Sequence, residues 1–83
     1  MKKVLVSIYV LRLDRTFDVE IPINLSMSDV LSLLQDSIKE MSNGAYQVNS
    51  NARLYESHSG NLLNPNNIVK YSGIKNGGKL LLV

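Results

Sequence analysis

The stretch MSDVLSLLQDSIKEM, residues 27–41, decides how the rest of the chain must be read. Met27, Val30, Leu31, Leu34, Ile38 and Met41 recur at i, i+3, i+4, i+7, i+11 and i+14. At 100° per residue they fall within an arc of about 100°, the apolar stripe of a helix that lies on a sheet. Leu33 lies roughly 60° outside that arc and is expected at the surface, where one leucine is ordinary. Ser26 with Asp29 three residues on resembles a capping box, with Asp in place of the longer Glu. Asn43-Gly44 supplies a left-handed stop.

Immediately upstream, Arg15–Ile21 alternates. Phe17, Val19 and Ile21 point in, while Thr16, Asp18 and Glu20 point out, a strand with one wet face. Pro22 removes a ladder donor and closes it. Val4–Leu11 alternates too, with Val4, Val6, Ile8 and Val10 on one side and Leu5, Ser7, Tyr9 and Leu11 on the other. Its partly apolar second face predicts a central place in the sheet. Arg12–Asp14 is short enough for a hairpin turn, so the two strands are predicted to be antiparallel neighbours.

Downstream, Tyr46–Asn51 reads as a polar connector and Ala52–Glu56 as a third strand with Leu54 inward. Ser57–Gly60 makes a turn. Leu62-Leu63 is a brief fourth strand or an apolar plug, ended by the turn signal Asn64-Pro65-Asn66-Asn67. Ile68–Tyr71 is predicted to form one helical turn that packs Ile68 or Val69 beneath the sheet. Asn76-Gly77-Gly78 turns the chain into a last strand, Lys79–Val83. The order is ββ-α-β-β-β. One helix with a stripe to bury, and a sheet to bury it on, make a two-layer α+β domain over residues 1–83, with a mixed sheet of four to five strands. The first and last strands are the most apolar. They are predicted to lie side by side in the centre, parallel because the crossover passes through the helix.

Composition narrows the chemistry. The chain has 83 residues, no cysteine and one histidine, which removes thiol catalysis, disulfides, cysteine-ligated zinc and the usual material of proton relays. The net charge of +2 is scattered: residues 42–83 carry Arg53, Lys70, Lys75 and Lys79, with no run that tracks phosphates. With no basic groove and no stacking platform, nucleic acid is not an expected partner. Lys2-Lys3 before Val4–Leu11 imitates a signal peptide, but no small-residue cleavage site follows and charges come at once. No stretch approaches the roughly 20 apolar residues of a membrane span. A cytoplasmic protein without direct membrane insertion is expected.

No catalytic constellation is present. His58, in Glu56-Ser57-His58-Ser59-Gly60, has serines nearby but no Gly-x-Ser-x-Gly elbow, and reads as a hairpin-tip histidine. Asp14, Asp18 and Glu20 lack the loop spacing of a calcium site. No enzyme activity, cofactor or metal is expected.

With these landmarks the chain resembles the β-grasp fold of ubiquitin. Arg53-Leu54-Tyr55 resembles the start of ubiquitin's third strand, Leu62 the apolar residue closing the following hairpin, and Val69, Ile74 and Leu80-Leu81-Leu82 its later core positions. Among ubiquitin-like proteins it is most similar to the bacterial YukD/EsaB group, through Phe17-Asp18-Val19-Glu20-Ile21-Pro22, Val30–Leu34 and Gly73-Ile74-Lys75-Asn76-Gly77 leading to Leu80. These are soluble accessory proteins encoded with the type VII (WXG100) secretion apparatus. The resemblance implies an accessory or regulatory role by protein–protein contact, with a cytoplasmic region of a secretion-machinery subunit as partner. Two other roles of ubiquitin-like proteins remain open: a small effector or coupling subunit of a multicomponent oxygenase, and a protein modifier or sulfur carrier. The second needs a free carboxy-terminal Gly-Gly. Here Gly77-Gly78 lies upstream at a predicted turn, and Val83 is expected within the last strand.

Strand alternation nominates a contact surface. With Leu54 inward, Arg53 and Tyr55 face outward; with Leu80 and Leu82 inward, Leu81 and Val83 share their side. Leu11 or Leu13 at the first turn extends its edge, and Leu13 completes the candidate set Arg53, Tyr55, Leu81, Val83 and Leu13. In ubiquitin the corresponding sheet face is the main recognition surface. The patch suits a protein partner or a weak homodimer.

Overall fold

The computed structural model describes residues 2–83; Met1, counted in the domain expected from the sequence, lies outside the described residues. The order is β1 (Lys3–Val10), β2 (Arg15–Pro22), α1 (Met27–Met41), β3 (Leu54–Glu56), a 3-10 helical turn (Val69–Tyr71) and β4 (Gly78–Leu82). The sheet runs β2-β1-β4-β3. β1 pairs antiparallel with β2 from Lys3↔Pro22 to Val10↔Arg15, and parallel with β4 from Val6↔Gly78 to Val10↔Leu82. β3 closes the far side antiparallel to β4. The two most apolar strands therefore occupy the centre, as their sequences require.

One face of the sheet and one stripe of α1 make the core. Val6, Ile8 and Val10 from β1, Leu80 and Leu82 from β4, and Phe17 and Ile21 from β2 meet Met27, Val30, Leu34 and Ile38. The helix starts where Ser26 Oγ accepts from the Asp29 N–H at 3.2 Å. Its first free N–H groups, on Met27 and Ser28, donate to Asn67 O at 2.7 Å and Pro65 O at 3.0 Å, so the 64–70 loop satisfies donors the helix cannot. The stop is Asn43-Gly44, both in the left-handed region, with Gly44 N–H donating to Lys39 O at 2.8 Å. Leu33 is exposed, as its angle predicts.

Several expectations are corrected, and others that left alternatives open are settled. Met41, the last helical residue, is 43% exposed: the stripe runs on past the part of the helix that packs. Tyr46 is no part of a polar connector but lies in the core, its hydroxyl donating to Gln35 Oε1 at 2.8 Å. Asn49 N–H donates to the same oxygen at 2.7 Å, which is why a glutamine is tolerated at 5% exposure on the apolar side of α1. The first hairpin turn takes in Leu11 as well as Arg12–Asp14, with Asp14 at φ 50°. Of the brief strand or apolar plug expected at Leu62-Leu63, the strand does not form and Leu63 packs against the core cluster. A single bridge joins Tyr55 and Leu62, because the turn at Gly60 and the Asn64-Pro65 turn leave no length for a ladder. The sheet accordingly has four strands. In the 3-10 turn Val69 is the buried residue, while Ile68 is 37% exposed.

Candidate protein-binding face

The sheet face opposite α1 holds the candidate residues. Alternation in β1 sends Ser7 and Tyr9 outward because Val6, Ile8 and Val10 are committed to the core. Register then assembles a row. Tyr9 stands opposite Leu81, Leu81 opposite Tyr55, and Tyr55 bridges to Leu62. Four side chains from distant parts of the chain become one apolar band across the face. Tyr9, Tyr55 and Leu81 are half-buried, while Leu62 and Leu11 are more than half exposed. Tyr9, Leu11, Tyr55, Ser57, Gly60 and Leu81 line a shallow depression along this band.

Below the band, Arg53 and Val83 exchange backbone hydrogen bonds, Arg53 N–H to Val83 O at 2.9 Å and Val83 N–H to Arg53 O at 3.0 Å. That pairing extends the β3·β4 ladder and holds Val83 in the sheet. Arg53, Tyr55, Leu81 and Val83 are thus brought together on one side. Leu13 is not. It packs against the core cluster, and Leu11, 55% exposed, takes the edge position. The reason is local: β1 alternation still governs Leu11, but the turn with its left-handed Asp14 resets which side Leu13 faces. Tyr9 also belongs to the band although the sequence reading did not nominate it. Its outward parity was readable; its register against Leu81 was not.

Charges divide to the flanks. Asp18 and Glu20 stand on β2, and Asp14 on the turn before it; Lys79 and Arg53 stand on the other side. Ser7 Oγ donates to Asp18 Oδ1 at 2.7 Å. Tyr9 hydroxyl donates to Asp14 Oδ1, and this bond, with smaller contributions from desolvation and the carboxylate charge, raises the phenol above its ordinary pKa. Glu56 is a turn brace: its carboxylate accepts from His58 N–H at 2.7 Å and Ser59 N–H at 2.9 Å, which lowers its pKa. His58 therefore sits at the tip of a braced, exposed turn. Among the described residues no three His, Cys, Asp or Glu side chains gather into a metal-holding group. No helix among them is long and apolar enough to cross a membrane. Gly77, at φ 82°, and Gly78 form an internal turn: Gly77 N–H donates to Leu5 O at 2.8 Å, and Asn76 Oδ1 accepts from Leu5 N–H at 2.8 Å. A Cβ on Gly78 would lie 3.0 Å from Lys75 O, so both glycines answer to turn geometry.

By sequence, no known family pattern and no curated protein matches the chain. By structure, likenesses are extensive. The ubiquitin-like domain of Plasmodium falciparum Dsk2 superposes with a TM-score of 0.76 at 17% identity, over 99% of this chain and 97% of that one. Caldiarchaeum subterraneum ubiquitin gives 0.71 at 16% identity, over 98% and 91%. A chain of a toluene 4-monooxygenase HD complex gives 0.76 at 14% identity, over 99% and 98%. One helix on a four-stranded mixed sheet with these neighbours is the ubiquitin-like β-grasp, an α+β fold.

Proposed function

We propose that this chain is a non-enzymatic, cytoplasmic protein-interaction module that docks a partner on its outer sheet face. The observation that carries the reading is the band Tyr9–Leu81–Tyr55, half-buried on the side of the sheet away from the helix and continued by the exposed Leu11 and Leu62. Aromatic anchors in a shallow depression rimmed by charge are the composition of a modest protein-binding surface. The YukD/EsaB likeness of Phe17–Pro22, Val30–Leu34 and Gly73–Gly77 supports a role as accessory or regulatory component of bacterial type VII secretion. The partner is then a cytoplasmic region of a secretion-machinery subunit.

The test is capture of purified cytoplasmic segments of those subunits by the immobilised protein. Leu81→Asp and Tyr55→Ala are expected to weaken capture at least tenfold while melting as cooperatively as the parent. Normal capture by both folded variants removes this face from the mechanism. A second reading, effector subunit of a multicomponent oxygenase, draws on the toluene 4-monooxygenase likeness, which spans 98% of that chain. Co-purification with a di-iron hydroxylase, in place of a secretion subunit, selects it.

A further inference from the structure

The outer face is self-complementary. Its apolar band crosses from β1 over β4 to β3, its carboxylates stand on β2 and the turn before it, and its cations stand on β4 and beside β3. The register fixes one such row: Asp18 on β2 is opposite Ser7 on β1, which is opposite Lys79 on β4. Arg15 does not spoil the acidic flank, because it is turned to the Phe17 side, 4.8 Å over that ring. Lys3 stands two rows beyond Ser7, on the side away from the Tyr9–Leu81 band.

We propose that a second copy of this chain covers the face, through a two-fold axis that runs along the strands between β1 and β4. Such an axis lays each β2 over the other copy's β3 side. Tyr9 of one copy meets Leu81 of the other. Asp18 comes within about one strand spacing, ~4.8 Å sideways, of the other copy's Lys79, inside a lysine side chain's reach. Arg53 lands beside Asp14. The alternative axis, across the strands, stacks acid on acid and is opposed by like-charge repulsion.

The size of the face sets the strength. Four strands span roughly 19 Å and the apolar band and its flanking rows about 15–20 Å, a few hundred Å² per copy against the ~800 Å² of a standard interface. The dimer is therefore weak and concentration-dependent. This inference rests on the reading of the face as a docking surface, and adds a second copy as the occupant that a protein partner must displace.

Sedimentation equilibrium between about 10 μM and about 1 mM tests it, with the parent, Asp18→Lys, Lys79→Asp and an equimolar mixture of the two variants. The parent is expected to self-associate, less so as salt is raised. Each single swap places like charges together at both symmetry-related contacts and is expected to raise the dissociation constant about tenfold or more. In the mixture the introduced lysine meets the introduced aspartate at one contact and the native pair survives at the other, so association returns to the parental strength. A parent that stays monomeric throughout, single swaps that associate like the parent, or a mixture no tighter than its components would each overturn the proposal. Leu81→Asp separates the two readings. Lost partner capture with a monomeric parent sinks the dimer alone, and unchanged capture with a dimeric parent sinks partner docking alone.

Discussion

Replacing Gln35 by Leu is the sharpest probe of how α1 is tied to the connector that follows it. The change leaves helix propensity nearly untouched, since the two residues rank together. What it removes is one oxygen, Gln35 Oε1, that accepts both the Tyr46 hydroxyl at 2.8 Å and the Asn49 N–H at 2.7 Å. The Tyr46 side chain is 2% exposed, so its hydroxyl has no water to turn to. A stranded buried donor costs about 1–3 kcal/mol, and the partly buried Asn49 amide falls at the low end of that range. Allowing for the apolar surface leucine adds, the net loss is about 2–3 kcal/mol. A domain of this length holds roughly 4–12 kcal/mol in total, and the midpoint should fall by about 10–20 °C. Tyr46→Phe alone should cost about 1 kcal/mol, and the double variant should be more stable than the sum of single losses implies, by about 1 kcal/mol of coupling. Urea unfolding gives the energies, and amide exchange at Asn49 reports the second bond directly: protected in the parent, fast in the variant. A Gln35→Leu protein within ~0.5 kcal/mol of the parent, or strict additivity with Tyr46→Phe, would refute the reasoning.

Adjacent leucines should behave oppositely. Leu80 is 1% exposed in the core and Leu81 is on the outer face, so urea unfolding should show a loss of about 2–5 kcal/mol for Leu80→Ala and below about 1.5 kcal/mol for Leu81→Ala. Glu56→Gln should melt below the parent at pH 7. Because the folded-state pKa of Glu56 is lowered, its contribution is whole above the unfolded-state pKa near 4.5 and vanishes as pH falls through the lower folded value, so melting curves taken down the acid range should converge.

The elements that local pattern dictates were readable. Val6-Ile8-Val10 and Phe17-Ile21 alternate, and the Met27–Ile38 stripe has a single solution, so three elements and their buried sides follow from spacing alone. Parallel pairing of β1 with β4 follows from apolarity and the crossover. What local pattern does not carry is register between distant segments. Alternation puts Tyr9 outward but does not set it beside Leu81, a relation that depends on where Gly77-Gly78 starts β4. Leu11 and Leu13 differ only in how many residues the turn absorbs, and Asp14 at φ 50° settles that. Tyr46 and Gln35 look polar or amphipathic one at a time. Only when the connector folds back against α1 do they become a buried pair, each the reason the other is tolerated.

The central pairing of β1 with β4 also governs how the chain can be made. Leu5 and Asn76, joined by a hydrogen bond, are 71 residues apart, and between them lies nearly everything else. While the polypeptide is still being synthesised, Val6, Ile8 and Val10 have β2 on one side and nothing on the other. The central pairing waits for Gly78–Leu82 to be made, so the core is expected to close through a late, long-range contact that costs loop entropy and slows folding.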